Sequence, residues 1–383
     1  MSTTTLSPPA AAAAVSRLDW PFLIAAVLAT AVPVALVVLD GQPASAALII
    51  GGFALGAAFL KTEFSFTVAW RRFLVKGEAG GLLAALLLIA VAACVIVPVA
   101  AQVPGFGGAI APIGPSLIIG AFVFGIGMQL GNGCGSGTLY TAGGGSGRML
   151  ITLALFIVGS VIGSLHLPAF LALGGIDPIL ASNYFGPWGG LAATLASIAV
   201  AAVIIAGIAR VRGADFAPRP LLIAGAIVIG LLCIGVFLAG HHPWSVTFGF
   251  TVWGAKIAAL AGFDFSSAEF WQWPGPKRAL AESILSDTSS LTDFGMILGA
   301  MAAAAATKPF ARTAWPPMGS LLAAAVGGLL MGWGARVGFG CNIGAFLGGV
   351  ASGSLHGWVW FGAALGGCMI GIRLRPLFGL SGD

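Results

Sequence analysis

Apolar residues run through this chain in long blocks, and the blocks differ in length in a telling way. A helix needs about 20 mostly apolar residues to cross the hydrocarbon of a bilayer. Residues 20–39, 81–100, 189–208, 221–240 and 355–372 are of that kind. Other blocks are shorter and stop in special sequence. Residues 44–60 run into Phe64-Ser65-Phe66-Thr67, and 115–130 into Gly131-Asn132-Gly133-Cys134-Gly135-Ser136-Gly137. Residues 246–262 run into Phe263-Asp264-Phe265-Ser266, and 320–334 into Gly338-Phe339-Gly340-Cys341-Asn342-Ile343-Gly344. Half-length apolar segments that end in glycine suggest broken or re-entrant helices. Such backbone survives at membrane depth only when buried in protein or lining a cavity. The pattern predicts an all-α polytopic membrane protein with broken, re-entrant half-helices.

Composition agrees. The 383 residues are 58% hydrophobic and 8% charged, against roughly 25% charged in soluble domains. That excludes a water-soluble protein. The 59 glycines fit close helix approach in lipid. The net charge of +5 sits in loops, so it speaks to topology and not to nucleic acid. The five cysteines, Cys94, Cys134, Cys233, Cys341 and Cys368, show no CxxC and no metal-ligand spacing with the four histidines. No metal, no cofactor, no catalytic residue and no nucleotide-binding loop is expected. Cys94, Cys233 and Cys368 lie in apolar runs and are read as small core residues.

The two cysteine loops repeat each other. Gly125, Gly127, Gly131, Gly133, Cys134 and Gly137 align without a gap on Gly332, Gly334, Gly338, Gly340, Cys341 and Gly344, a shift of 341 − 134 = 207. The Phe64 and Phe263 elements share an aromatic–polar–aromatic–hydroxyl pattern at a shift of 263 − 64 = 199. The expected organisation is a disordered tail (1–16), a first transmembrane helix (17–43), a first repeat (44–208), a connecting loop and helix (209–240), a second repeat (241–376) and a short tail (377–383). Six apolar segments separate the two Phe elements, an even number, so the repeats are expected to run parallel. That count puts Arg17, Arg71, Arg72, Lys76, Arg210, Arg212, Arg219, Lys277 and Arg278 in the cytoplasm, and leaves Lys308, Arg312, Arg373 and Arg375 outside.

Interrupted segments at matching positions of two halves point to a transporter's binding site. Helix N-termini and glycine loops offer unpaired N–H groups to an anion, and a thiol adds a weak S–H donor. A soft thiol suits a soft sulfur atom better than a hard oxyanion. The candidate substrate residues are Cys134, Cys341, Ser65, Gly133, Gly135, Gly340, Asn132 and Asn342. Phe64, Phe66, Phe263 and Phe265 are candidate gates. Asp264 is a candidate coupling group or an interfacial helix cap. Lys256 pairs with it, snorkels, or attracts the anion. Arg148 and Arg336 flank the loops and either steer anions or mark the interface.

The paired GxGCxxG loops, each behind a glycine-punctuated half-helix, resemble the YeeE/YedE family of sulfur-transport membrane proteins over most of residues 45–375. The resemblance implies an hourglass of broken helices that passes thiosulfate between cysteines through S–H hydrogen bonds, with Cys134 and Cys341 as the two loop cysteines. It also implies a third cysteine in the first Phe element, where this chain has Ser65. A bacterial inner-membrane location and a small TusA-like cytoplasmic sulfur-carrier partner are implied as well. A selenium species as substrate, a membrane-embedded thiol redox or sulfurtransfer protein, and a neutral-solute channel are the alternatives.

Overall fold

The computed structural model describes residues 18–307 and 316–382. Fifteen α-helices make up the described chain: α1 (Trp20–Leu39), α2 (Pro43–Thr62), α3 (Phe66–Lys76), α4 (Gly80–Gln102), α5 (Pro115–Gly131), α6 (Gly135–Gly143), α7 (Gly147–Leu171), α8 (Ala181–Val211), α9 (Pro220–Gly240), α10 (Thr247–Leu260), α11 (Pro274–Ala281), α12 (Thr288–Ala305), α13 (Met318–Val337), α14 (Gly348–Ala351) and α15 (Leu355–Leu374). A π-helical turn, Asn342–Leu347, leads into α14. Among the described residues nine helical segments are long and apolar enough to cross a membrane. The all-α polytopic expectation therefore holds.

Four of these helices break inside the bundle, and each break has the same local cause. The non-glycine residues with positive φ among the described residues are Glu63, Asn132, His241 and Phe339. They follow α2, α5, α9 and α13 in turn. A left-handed residue ends a helix, because the chain turns away from the direction of its hydrogen-bond ladder. A shorter helical piece then restarts in each case: α3, α6, α10, and the π-turn with α14.

The four breaks are related in pairs by a pseudo-two-fold. α5 and α13 cross with backbone against backbone. A Cβ on Gly127 would stand 2.7 Å from the Gly327 carbonyl oxygen, and one on Gly334 would stand 2.7 Å from the Gly120 carbonyl oxygen. Since 120 + 207 = 327 and 127 + 207 = 334, this is one contact made twice. Small residues at such a crossing let helices approach in lipid, where no hydrophobic force drives them together. Gly120 meets Gly338 while Gly131 meets Gly327, so the two helices are antiparallel. α2 and α9 are antiparallel too, with Gly51 against Val236 and Gly225 against Thr62. Around them α7 lies on α13 as α15 lies on α5, and α12 on α2 as α4 on α9.

Equivalent helices that run antiparallel across a membrane are related by an axis in its plane. The repeats are inverted, which corrects the parallel expectation. The parity failed because the partner of α2–α3 is α9–α10, one crossing earlier than the Phe263 element. We therefore assign α9 to the second repeat and not to a connector. The inversion also corrects the charge map. Arg71 and Arg375 both donate to Asn132 Oδ1, at 2.9 and 3.3 Å, so Arg375 shares a side with Arg71. Residues 1–16, Arg17, Lys308 and Arg312 lie outside the described residues.

The crossing generates a prediction. Gly127→Leu or Gly334→Leu overpacks backbone, which costs about 1–3 kcal/mol or more, and lowers the melting temperature of the detergent-solubilised protein. Gly235→Leu, with nothing within 4 Å of its Cβ position, leaves it unchanged. Equal melting temperatures for all three variants would refute the crossing.

Candidate substrate site

Each cysteine is the N-cap of a restarting helix. Cys134 Sγ accepts from Gly137 N at 3.4 Å and lies 3.4 Å from Ser136 Oγ. Cys341 Sγ accepts from Ile343 N, also at 3.4 Å. Each sulfur takes an N–H of the first helical turn, and Cys134 Sγ shares a further hydrogen bond with Ser136 Oγ in which either atom can donate. Both thiols are buried, at 2% and 0% exposure. The breaks bring them together: Cys341 Sγ lies 2.9 Å from the place a Cβ on Gly135 would take. Val246 and Thr247, at the start of α10, stand 3.4 Å from the same point. Gly135 is thus a position where a side chain would close the gap between the halves.

An aromatic collar stands beside the thiols. Phe59 stacks on Tyr140 at 5.6 Å and meets Phe64 at 5.8 Å and Trp244 at 5.9 Å. Phe64 and Phe66 pack edge to face at 5.6 Å. The Tyr140 hydroxyl donates to Phe64 O at 3.2 Å and also interacts with the Ser65 side chain. Ser65 caps α3 by accepting from Val68 N at 3.3 Å. It lines a cavity of about 460 Å³ together with Phe64, Arg72, Lys76, Glu78 and Arg219. A charged vestibule therefore leads to Ser65 and the collar.

Other predicted residues have other places. Asn132 is left-handed, and its amide oxygen is held by Arg71 and Arg375. Arg148 donates to the Leu130 and Gly131 carbonyls at 2.7 and 3.1 Å, and Arg375 to Gln129 O at 2.7 Å. These arginines satisfy the last carbonyls of α5, where cations are favoured. Gly133 packs on Thr138, and Gly340 has φ 147°, a backbone open to glycine. Asn342 is fully buried, and neither atom of its amide has a partner in the described protein.

The Phe263 element is not the counterpart of Phe64. The break after α9, residues 241–246, fills that place. Phe263 is 50% exposed, and Phe265 is buried in a separate cluster against Trp271 at 5.2 Å. Asp264 is exposed, and its carboxylate accepts from Ser266 Oγ and N at 2.7 and 2.8 Å. Those hydrogen bonds hold it below the usual carboxylate range. Lys256 does not pair with it, since Lys256 Nζ caps α11 through the Leu280 and Glu282 carbonyls.

Trp244 and Tyr140 were missed by sequence reasoning. Trp244 Nε1 is buried without a partner. Its signal was a Pro-Trp pair two residues after a 21-residue helix, at a break of its own. Asp293, fully buried on α12, was missed as well.

Inverted repeats of broken helices, with two buried thiols and free polar groups at their meeting point, make a membrane transporter. Comparison with known proteins places it more closely. The chain belongs to the sulphur-transport family, whose model, described as sulphur transport, matches residues 61–370. It is similar to the thiosulfate transporter TsuA of Spirochaeta thermophila, 28% identical over 265 residues, 63% of this chain and 72% of that protein. It is also similar to the probable transporter YedE of Escherichia coli, 32% identical over 165 residues, 43% of this chain and 39% of that one. The YedE of Salmonella typhimurium is 33% identical over 166 residues, with the same shares covered.

The arginine clamp on Asn132 can be tested. Asn132→Gly keeps the left-handed turn but removes the one acceptor that Arg71 and Arg375 share. It is expected to lose about 1–3 kcal/mol of stability, read as a lower melting temperature, and an unchanged melting temperature would show the clamp to be idle.

Proposed function

We propose that the protein carries thiosulfate, or a closely similar small sulfur-containing anion, across the bacterial cytoplasmic membrane, and that it is not an enzyme. One observation carries this reading: two thiols from inverted half-helices meet in the buried centre, each capping a restarting helix. An anion entering lipid loses its water shell and needs replacement donors. Cys134, Cys341, Ser65, the Asn342 amide and Trp244 Nε1 are the neutral groups offered for that role. Neutral donors hold an anion loosely enough for it to leave, where a buried arginine would trap it. A soft terminal sulfur pairs with the thiols, and oxygens pair with hydroxyl and N–H groups. The name of the TsuA relative supports thiosulfate in particular.

Orientation follows from charge. Lys61, Arg71, Arg72, Lys76, Arg148, Arg210, Arg212, Arg219, Arg373 and Arg375 lie at one end of the bundle by the helix directions above. The positive-inside rule makes that end cytoplasmic. The vestibule at Ser65 is then the exit, where a small TusA-like sulfur carrier would receive the anion. The residue types at this exit suit hand-over of an anion to an aqueous acceptor.

Cys134→Ala and Cys341→Ala are each expected to cut uptake of labelled thiosulfate at least about tenfold, the loss of one charge-assisted hydrogen bond of roughly 1.5–3 kcal/mol. Cys→Ser at either position keeps a donor and retains more transport. Full uptake by both alanine variants at normal expression overturns the relay. Protection of both thiols from alkylation by thiosulfate, and not by sulfate, is the matching equilibrium measurement.

A further inference from the structure

The transport reading leaves one buried group unused. Asp293 lies on α12 with 0% exposure, and neither carboxyl oxygen has a hydrogen-bond partner in the described protein. Its neighbours are already engaged. Ser290 Oγ donates to Asp287 Oδ2 at 2.6 Å and receives Trp253 Nε1 at 2.8 Å. Thr292 Oγ1 donates to the Ser289 and Thr288 carbonyls at 2.9 and 3.1 Å. The carboxyl fills a space that α10 leaves by having no side chain at Gly249. Asp293 Oδ2 stands 2.7 Å from the place a Cβ there would take. Gly249 follows Val246 and Thr247, the residues that face Cys341 and Gly135, by less than one turn.

The charged and titratable groups on the elements packed against α12 do not neutralise this carboxyl. Lys256 on α10 is committed to the Leu280 and Glu282 carbonyls. α2 offers Lys61 at its far end and α6 offers Tyr140, whose hydroxyl is bound to Phe64 O. α1 is flanked by Asp19 and Asp40, and Glu282 precedes the turn that leads into α12. Asp287, at the start of α12, carries the same sign. A carboxylate buried without a partner is strongly disfavoured. A hard metal cation is a poor remedy, because it takes six or more oxygen ligands and no group of three or more His, Cys, Asp or Glu gathers anywhere among the described residues. The cation that fits is a proton.

We propose that Asp293 is a proton-carrying group in the α10–α12 seam, and that it couples passage of the anion past Cys341 to movement of a proton in the same direction. This rests on the transport reading above. The carboxyl is loaded from the outside while the anion occupies the thiols, and releases its proton to the cytoplasmic side as the anion leaves. No covalent bond changes. The proton offsets one negative charge that would otherwise move against an inside-negative potential.

The test uses the full-length purified protein in proteoliposomes, with potential clamped at zero and labelled thiosulfate as probe. An acid-outside gradient of about one pH unit is expected to raise wild-type accumulation about tenfold per coupled proton. Asp293→Asn is expected to lose that response and to keep exchange of labelled for unlabelled thiosulfate without a gradient. A wild type that exchanges but ignores the pH gradient overturns the proposal. So does an Asp293→Asn protein that responds like wild type, or a sodium gradient that replaces the proton gradient. A wild type without exchange sinks the transport reading itself. A second measurement needs no variant: thiosulfate added to wild-type vesicles must alkalinise the outer medium, and its failure to do so overturns the coupling.

Discussion

The glycine crossing of α5 and α13 is the contact on which the rest of the molecule depends. Gly120, Gly127 and Gly131 lie against Gly327, Gly334 and Gly338 with no side chain between the two backbones. Lipid gives apolar side chains no reason to leave it, so close van der Waals approach has to hold the halves together. The crossing also sets where the chain turns. Asn132 and Phe339, equivalent by the shift of 207, take the left-handed conformation one residue beyond it. Two residues later each chain reaches a cysteine that caps the next helix. Thiol placement is therefore a consequence of the crossing: move either helix along the other and the two sulfurs part.

Equal backbones carry unequal charge. The carbonyl end of α5 is held by Arg148, Arg375 and, through Asn132, Arg71. The equivalent end of α13 has Arg336 instead, which lies over the rings of Phe248 and Phe270 at 5.7 and 5.4 Å. The inverted repeat would by itself make the two membrane faces alike. The side chains at the helix ends remove that likeness. One face becomes a charged vestibule around Ser65, lined by Arg72, Lys76 and Arg219 and equally by Glu63, Glu78 and Asp215, and the other an aromatic cluster around Trp271. A symmetric frame thus acquires a direction.

The parts of the fold legible in the sequence are those where both halves obey one physical demand. Gly127 and Gly131 match Gly334 and Gly338 because a single crossing constrains both, and glycine is the residue type that satisfies it. The other pair of breaks has no such shared demand. Its first-half turn is Glu63 to Ser65, while its second-half turn runs from His241 to Val246 and is longer. A comparison without gaps cannot align turns of different length, so the Phe263 pattern took the place of Trp244. Orientation failed with it, since the error added one crossing to the count. Asp293 was hidden for another reason. It sits among Thr288, Ser289, Ser290 and Thr292, and a polar helix start in sequence looks like the end of a loop. Packing against α2 and α10 buries it, and contact with elements so far away in the chain leaves no local mark.

Ser65 marks the difference between the wet and the dry parts of the path. Cys134 and Cys341 are shut off from solvent, whereas Ser65 is partly exposed in a cavity rimmed by Arg72, Lys76 and Arg219. On the proposed reading an anion at Ser65 keeps part of its water shell, so a hard hydroxyl meets its needs. On the same reading the place between the thiols is closed to solvent. Contact there has to come from polarizable sulfur, buried N–H groups and the aromatic collar. On the proposed reading a third thiol is dispensable at Ser65 because desolvation is complete only one step deeper, behind Phe64 and Tyr140. The chemistry of each position thus follows from how much water the fold leaves at it.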